Sequence, residues 1–199
     1  MIVSHRHRFV FVKTRKTAGT SLEVFLSGVC GDEDIVTPIL PHVEPHRARN
    51  YDGFFNHMPA AAIRDRVGRG LWDGYFTFCV ERNPWDKTLS YYHMQRVRGG
   101  GSLTFDDYLR SEDFPVDFPA YTENGRLVVD RVLRYERLAA DLTDVFANLG
   151  VPFPGTLNVR AKAEYRTDRR PYREVYTSAQ AEVVRRAFAA EIAHFEYDF

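Results

Sequence analysis

The sequence predicts an α/β protein, a three-layer sandwich around a central parallel sheet. Two apolar runs rich in β-forming residues, FVFV at 9–12 and YFTFCV at 75–80, have the length and composition of buried strands, and VVDRVL at 128–133 looks like a third strand. Each gives way, after a short polar stretch, to a helix start signal or to apolar residues at helical spacing. Repeated strand-to-helix units imply parallel strands joined by right-handed crossovers, and sheets of this kind bind ligands beyond the carboxyl ends of their strands.

The elements follow in order. The first strand ends near Lys13, and Thr20 with Glu23 has the form of a capping box ahead of the apolar Val24, Phe25 and Leu26, so a helix is expected to start there. The second strand stops at Glu81-Arg82, and Asn83-Pro84 offers an N-cap with proline at the first helical position for a helix running through Tyr92. Gly99-Gly100-Gly101 reads as a loop. After the third strand, Leu138, Leu142, Val145 and Leu149 recur at helical spacing until Gly150 and Pro152 end the run. A last helix is marked by a possible capping box at Thr177 and Gln180 and by the stripe Val184, Phe188, Ile192 and Phe195.

At 199 residues the chain reads as one domain spanning 1–199, with no linker or repeat. Hydrophobic residues are 44% and charged residues 27%, a globular balance that excludes wholesale disorder. Lys plus Arg and Asp plus Glu are both 27, so net charge gives no ground for a nucleic-acid or anionic-membrane partner, and none is expected. Cys30 and Cys79 show no metal-ligand or disulfide spacing; free core thiols suit a reducing compartment. The apolar run in the first 25 residues is too short for a membrane span or a signal peptide, and a cytoplasmic protein is expected.

Two polar segments lie at strand ends. The first, KTRKTAGTS at 13–21, places the cations Lys13, Arg15 and Lys16, several hydroxyls and Gly19 between a buried strand and a helix N-terminus. Amides of a first helical turn point outward, the helix dipole favours an anion there, and glycine permits close backbone approach, so a phosphate-like group fits. The GxxxxGK[ST] nucleotide loop is matched only at Lys16-Thr17, because the glycine follows the lysine instead of preceding it. KTAGTS after a buried strand resembles the 5′-phosphosulfate loop of sulfotransferases that use 3′-phosphoadenosine 5′-phosphosulfate (PAPS). The second segment, VERNPWDKTLSYY at 80–92, resembles the 3′-phosphate motif of that family, whose arginine and serine stand eight positions apart, as Arg82 and Ser90 do. Many members carry a second arginine where Lys87 stands, a change that keeps charge but loses the fork geometry. DRVLRYERL at 130–138 and the chain ending are similar to bacterial members related to carbohydrate sulfotransferases.

The resemblance implies a P-loop nucleotidase-like sulfotransferase fold and a cofactor site made of Arg15, Lys16, Thr17, Ala18, Gly19, Thr20 and Ser21 together with Arg82 and Ser90. It also implies PAPS as donor, adenosine 3′,5′-bisphosphate as product, and no metal. In the family a late basic loop closes over the nucleotide; residues 160–173 hold six cations against two acids, and either Arg169 or Arg170 is expected to touch phosphate. Lys16 would stabilise the leaving phosphate oxygen, and Lys13 could reach the sulfuryl oxygens. A base must take the acceptor proton, and of the seven histidines His57, in FNHMP, lies in the region where relatives carry theirs. PHVEPH at 41–46 has HxExH spacing broken by prolines, which reads as an acceptor-side loop rather than a zinc helix. The acceptor is expected to be a hydroxyl or amine of a carbohydrate, lipid or small natural product. A kinase or nucleotide hydrolase of related fold using ATP with magnesium, and an inactive nucleotide-binding module, are the alternatives.

Overall fold

The structure is a computed structural model that describes residues 1–157, 165, 166, 168 and 170–199. In chain order the elements are β1 (Ile2–Ser4), β2 (Phe9–Phe11), α1 (Gly19–Val29), β3 (Ile35–Val36), α2 (Ala60–Val67), α3 (Arg69–Gly74) and β4 (Phe76–Glu81). There follow α4 (Pro84–Arg98), α5 (Phe105–Ser111), α6 (Phe118–Tyr121), β5 (Thr122–Glu123), β6 (Arg126–Leu127), β7 (Arg131–Arg134), α7 (Leu138–Leu149), α8 (Ser178–Ala187) and α9 (Ala189–Phe195). They form two compact units, each built from two stretches of chain: residues 1–81 with 119–161, and residues 82–118 with 162–199.

The first unit holds a five-stranded sheet in the order β3-β1-β2-β4-β7. β2, β4 and β7 pair in parallel, with Phe11 opposite Phe78 and Val80 opposite Leu133, whereas β1 is antiparallel to both its neighbours. The sheet is therefore mostly rather than wholly parallel. Alternate residues Phe9, Phe11, Phe78, Val80 and Leu133 share one face and pack with Leu22 and Leu26 of α1 and Leu142, Val145 and Phe146 of α7. The opposite-facing Val10, Val12 and Cys79 are equally buried, so the sheet is covered on both sides, as the continuous apolar runs predict. Both cysteines are buried and free, and burial, with Asp34 adding to it, pushes the Cys30 thiol up to about 12, which keeps it inert.

Several boundaries differ from expectation. The third strand begins at Arg131 rather than 128, because residues 122–127 form a separate hairpin whose Asn124 and Gly125 have φ of 50° and 74°, the left-handed pair of a tight turn. The proposed capping box at Thr20 and Glu23 is absent: α1 starts at Gly19 with Ala18 as N-cap and no side-chain cap. β1 and β3 carried too few residues to stand out. β1 is joined to β2 by a turn whose His5 and Arg6 amides donate to Asp34 Oδ1 at 2.7 and 3.1 Å, a support some 28 residues away.

In the second unit α4 sets Trp85, Leu89 and Tyr92 on one face against Tyr108 and Leu109 of α5, Ala181 and Val184 of α8, and Phe188. Trp85 Nε1 donates to the Ala181 carbonyl at 2.9 Å. Asn83 caps α4, accepting from the amides of Trp85 and Asp86 ahead of Pro84 at the first helical position, and Thr177 with Gln180 makes both bonds of a capping box, as expected. The single terminal helix of the sequence reading is two, broken at Phe188. No helix among the described residues is long and apolar enough to cross a membrane.

Phe78 lies at the centre of the first core, with ring centroids 5.8 Å from Phe9, 5.3 Å from Phe11 and 6.5 Å from Phe146. Phe78→Ala should therefore cost about 3–5 kcal/mol, read as a lowered urea midpoint at unchanged slope.

Candidate functional site

The loop after β2 is built from the strand end outward. The Val12 amide continues the ladder to the Phe78 carbonyl at 2.9 Å, and Thr14 Oγ1 donates to the Val80 carbonyl at 2.5 Å, so the loop leaves the sheet beside the end of β4. Thr17 Oγ1 bonds back to Thr14 at 2.9 Å, closing a small turn. Lys16 and Ala18 then adopt φ of 60° and 62°, left-handed conformations that cost a non-glycine residue roughly 1–3 kcal/mol and mark sites where the backbone is held for a purpose. The Leu22 amide donates to the Ala18 carbonyl at 3.0 Å and opens the ladder of α1; the first turn of a helix in general offers amides that have no carbonyl four residues back within the helix. The helix starts next to a left-handed residue and without a side-chain cap, the backbone arrangement in which helix N-termini in general accommodate anions.

Beneath the loop lies a buried charge pair. Lys13, 3% exposed, places its ammonium 2.5 Å from Glu23, which is 0% exposed and also accepts from the Met1 amino group. That amino group in turn donates to Thr37 Oγ1 at 2.7 Å. The Lys13 ammonium is thus paired with Glu23 in the interior at the start of the loop. Glu23 has the same explanation for missing the expected capping role: its carboxylate is spent on two amino groups. A Cβ on Gly19 would stand 2.9 Å from Lys13 Cγ and 3.3 Å from the Thr14 carbonyl, so glycine is needed here for close approach.

His57, with φ 61°, lies with Nδ1 3.1 Å from the Lys13 carbonyl. A carbonyl only accepts, so Nδ1 carries a proton in this contact. The other histidines stand elsewhere. His5 meets Tyr75 Oη at 2.9 Å, His7 meets the Val29 carbonyl at 3.2 Å, and His93 and His194 belong to the second unit. His42 is exposed and pairs with Glu44. His46 is 0% exposed, donating from Nε2 to the Thr37 carbonyl at 2.9 Å, and burial holds its pKa down against the opposing pull of that carbonyl and Glu23. The segment read as an acceptor-side loop therefore sends one of its two histidines into the interior.

The second unit carries the other motif. Arg82 donates from Nε and Nη2 to Asp86 Oδ2 at 2.9 and 2.6 Å, and Ser90 lies one turn beyond Asp86 on the same side of α4. Lys87, at the position of the family's second arginine, is fully buried and pairs with Asp117 at 2.9 Å, which makes it part of the interior. Of the late basic run, Arg169 lies outside the described residues. Arg170 grips Asp168 through Nε and Nη2 at 3.1 and 2.6 Å, and these bonds, with one from the Arg170 amide, hold the Asp168 carboxyl well below the usual range. Arg166, which sequence reasoning passed over among six cations, reaches Asp86 Oδ1 at 2.6 Å. Nothing local singles it out, because its partner stands 80 residues away. Among the described residues no group of His, Cys, Asp or Glu is arranged to hold a metal ion.

No family model matches the sequence. An uncharacterized protein from Archaeoglobus fulgidus is 38% identical over 117 residues, which cover 55% of this chain and 98% of that protein. The chain belongs to the same family as this archaeal protein. Among solved structures, mouse sulfotransferase SULT7A1 complexed with PAP is similar at a TM-score of 0.57 and 14% identity, over 95% of this chain and 85% of that one. A sulfotransferase from Alicyclobacillus acidocaldarius is 19% identical, with a TM-score of 0.42 and 96% of each chain covered. The likeness to the mouse enzyme shows the fold: a mixed α/β architecture of sulfotransferase type, with a mostly parallel central sheet.

Gly19→Ala should force Lys13 and the Thr14 carbonyl apart, lowering stability by about 1–3 kcal/mol in chemical denaturation.

Proposed function

We propose that the protein transfers a sulfuryl group from PAPS to a hydroxyl or amine of a carbohydrate, lipid or small natural product. The observation that carries this reading is the turn at Lys16 and Ala18. Two left-handed residues and an α1 start without a side-chain cap shape the segment in which Arg15, Lys16, Thr17, Thr20 and Ser21 would meet an anion, while the buried carboxylate of Glu23 is paired with amino groups. That donor set fits a phosphosulfate and needs no metal to balance its charge.

In this mechanism the amides of residues 17–21 hold the 5′-phosphate, and Lys16 neutralises charge on its bridging oxygen. Lys13, at the strand end, lies within reach of the sulfuryl oxygens in this reading, and its pairing with Glu23 anchors the start of the loop. Arg82 and Ser90 read the 3′-phosphate, with Arg169 or Arg170 adding charge from the late basic segment. When bound, the donor supplies a sulfur whose bond to the phosphate oxygen breaks as its bond to the acceptor oxygen or nitrogen forms. His57 takes the acceptor proton on Nε2, and its Nδ1–H stays anchored on the Lys13 carbonyl, so loop and base are referred to one residue. The sulfotransferase fold and the complex of the mouse relative with PAP support the reading.

Adenosine 3′,5′-bisphosphate without metal should raise the melting temperature of the protein; stabilisation only by ATP with magnesium would instead indicate a kinase or nucleotide hydrolase. In the same assay Lys16→Ala should retain most of the shift while sulfation of an acceptor pool from labelled PAPS falls at least about a hundredfold, the scale of a lost transition-state contact.

His57→Ala should keep the nucleotide shift and lose turnover by about 10²–10⁴-fold. A rate near that of the parent protein would remove His57 as base.

A further inference from the structure

Asp86 stands between two guanidinium groups in the second unit. Its Oδ2 accepts from both Nε and Nη2 of Arg82, at 2.9 and 2.6 Å, and its Oδ1 accepts from Nη1 of Arg166 at 2.6 Å. Each carboxylate oxygen thus serves one arginine. Arg166 extends the tie, donating from Nε to the Asp168 carbonyl at 2.9 Å and from Nη2 to the Arg170 carbonyl at 2.5 Å. One residue on the first turn of α4 therefore holds Arg82 on one side and, through Arg166, is linked to Asp168 and Arg170 on the other. The groups are mostly sheltered, with side-chain exposures of 22% for Asp86, 10% for Arg82 and 16% for Arg166, so solvent screens them only in part.

The charges explain why an acid is needed. Two guanidinium groups repel at this separation unless an anion lies between them, and a single carboxylate leaves the trio with one net positive charge, still attractive to phosphate. An arginine gripped along its Nε–Nη2 edge loses rotamer freedom before any ligand arrives, which lowers the cost of binding one. We propose that Asp86 is the positioning residue for recognition of a ribose 3′-phosphate: it sets the Arg82 fork and, through Arg166, ties Asp168 and Arg170 to it. This rests on the sulfotransferase reading for the identity of the phosphate. The opposite role, a carboxylate that competes with the ligand for the arginines, makes the opposite prediction for affinity.

The test is titration calorimetry of the full chain with adenosine 3′,5′-bisphosphate and adenosine 5′-monophosphate. The parent protein comes first. If it shows no preference for the bisphosphate, the functional reading fails and takes this inference with it. Given that preference, Asp86→Asn should weaken the bisphosphate at least about tenfold and the monophosphate less than about twofold, since the lost bonds are charge-assisted and serve the 3′ side. Asp86→Glu should recover most of the loss, because a carboxylate four residues on still reaches Arg82. Arg166→Ala should lower bisphosphate affinity on its own, and by less than additively in combination with Asp86→Asn; it also serves if Asp86→Asn does not fold. Bisphosphate binding by Asp86→Asn that equals or exceeds the parent's, or Arg166→Ala binding that is unchanged, would overturn the proposal.

Discussion

The buried ammonium of Lys13 is the constraint on which the first unit turns. A lysine with 3% of its side chain exposed needs a full counter-charge, and Glu23 supplies it from the second turn of α1. That pairing draws the end of β2 and the start of α1 together. The intervening residues must then cross a short gap, which they do with left-handed turns at Lys16 and Ala18, and glycine is required at position 19 where the lysine stem passes. The Lys13 carbonyl, fixed by the same geometry, orients His57. Loop shape and the seat of His57 thus both refer to the residue of one buried ion pair.

In the second unit, adjacent residues on α4 divide two kinds of charge. Lys87 turns inward to Asp117 and is part of the core, whereas Asp86 turns to Arg82 and Arg166 at the helix start. A buried lysine pair of this sort contributes little net stability compared with apolar packing, but breaking it leaves a stranded charge. The Asp86 cluster is different in kind: two guanidinium groups share one carboxylate in a mostly sheltered place, so it holds more positive than negative charge.

Much of this was legible from residues close together in the chain. Asn83-Pro84 and the Thr177–Gln180 box act through bonds spanning two or three residues, and both helices start where those signals stand. The strands at 9–11 and 76–81 declare themselves because a strand buried on both faces has to be apolar throughout. Thr20 and Glu23 carried an equally good local signal and failed, since the Glu23 carboxylate is claimed by Lys13 and Met1. β1 was missed because its turn is supported by Asp34 instead of by glycine or asparagine. The stripe 184–195 is apolar at helical spacing yet broken at Phe188, which periodicity alone does not reveal.

By itself, the sequence determined the alternation of strands and helices, the anion-favouring composition of the segment after β2, and the positions of Arg82 and Ser90 at the start of α4, all properties carried by short-range spacing. Only the tertiary structure decided what each charged group faces: Lys13 inward to Glu23, His46 into the interior, His57 onto the Lys13 carbonyl, Arg166 onto Asp86. Ion pairs and tautomers depend on partners tens of residues away, brought close when apolar faces are buried, and no local pattern encodes which of several like charges the closed chain will bring to a given carboxylate.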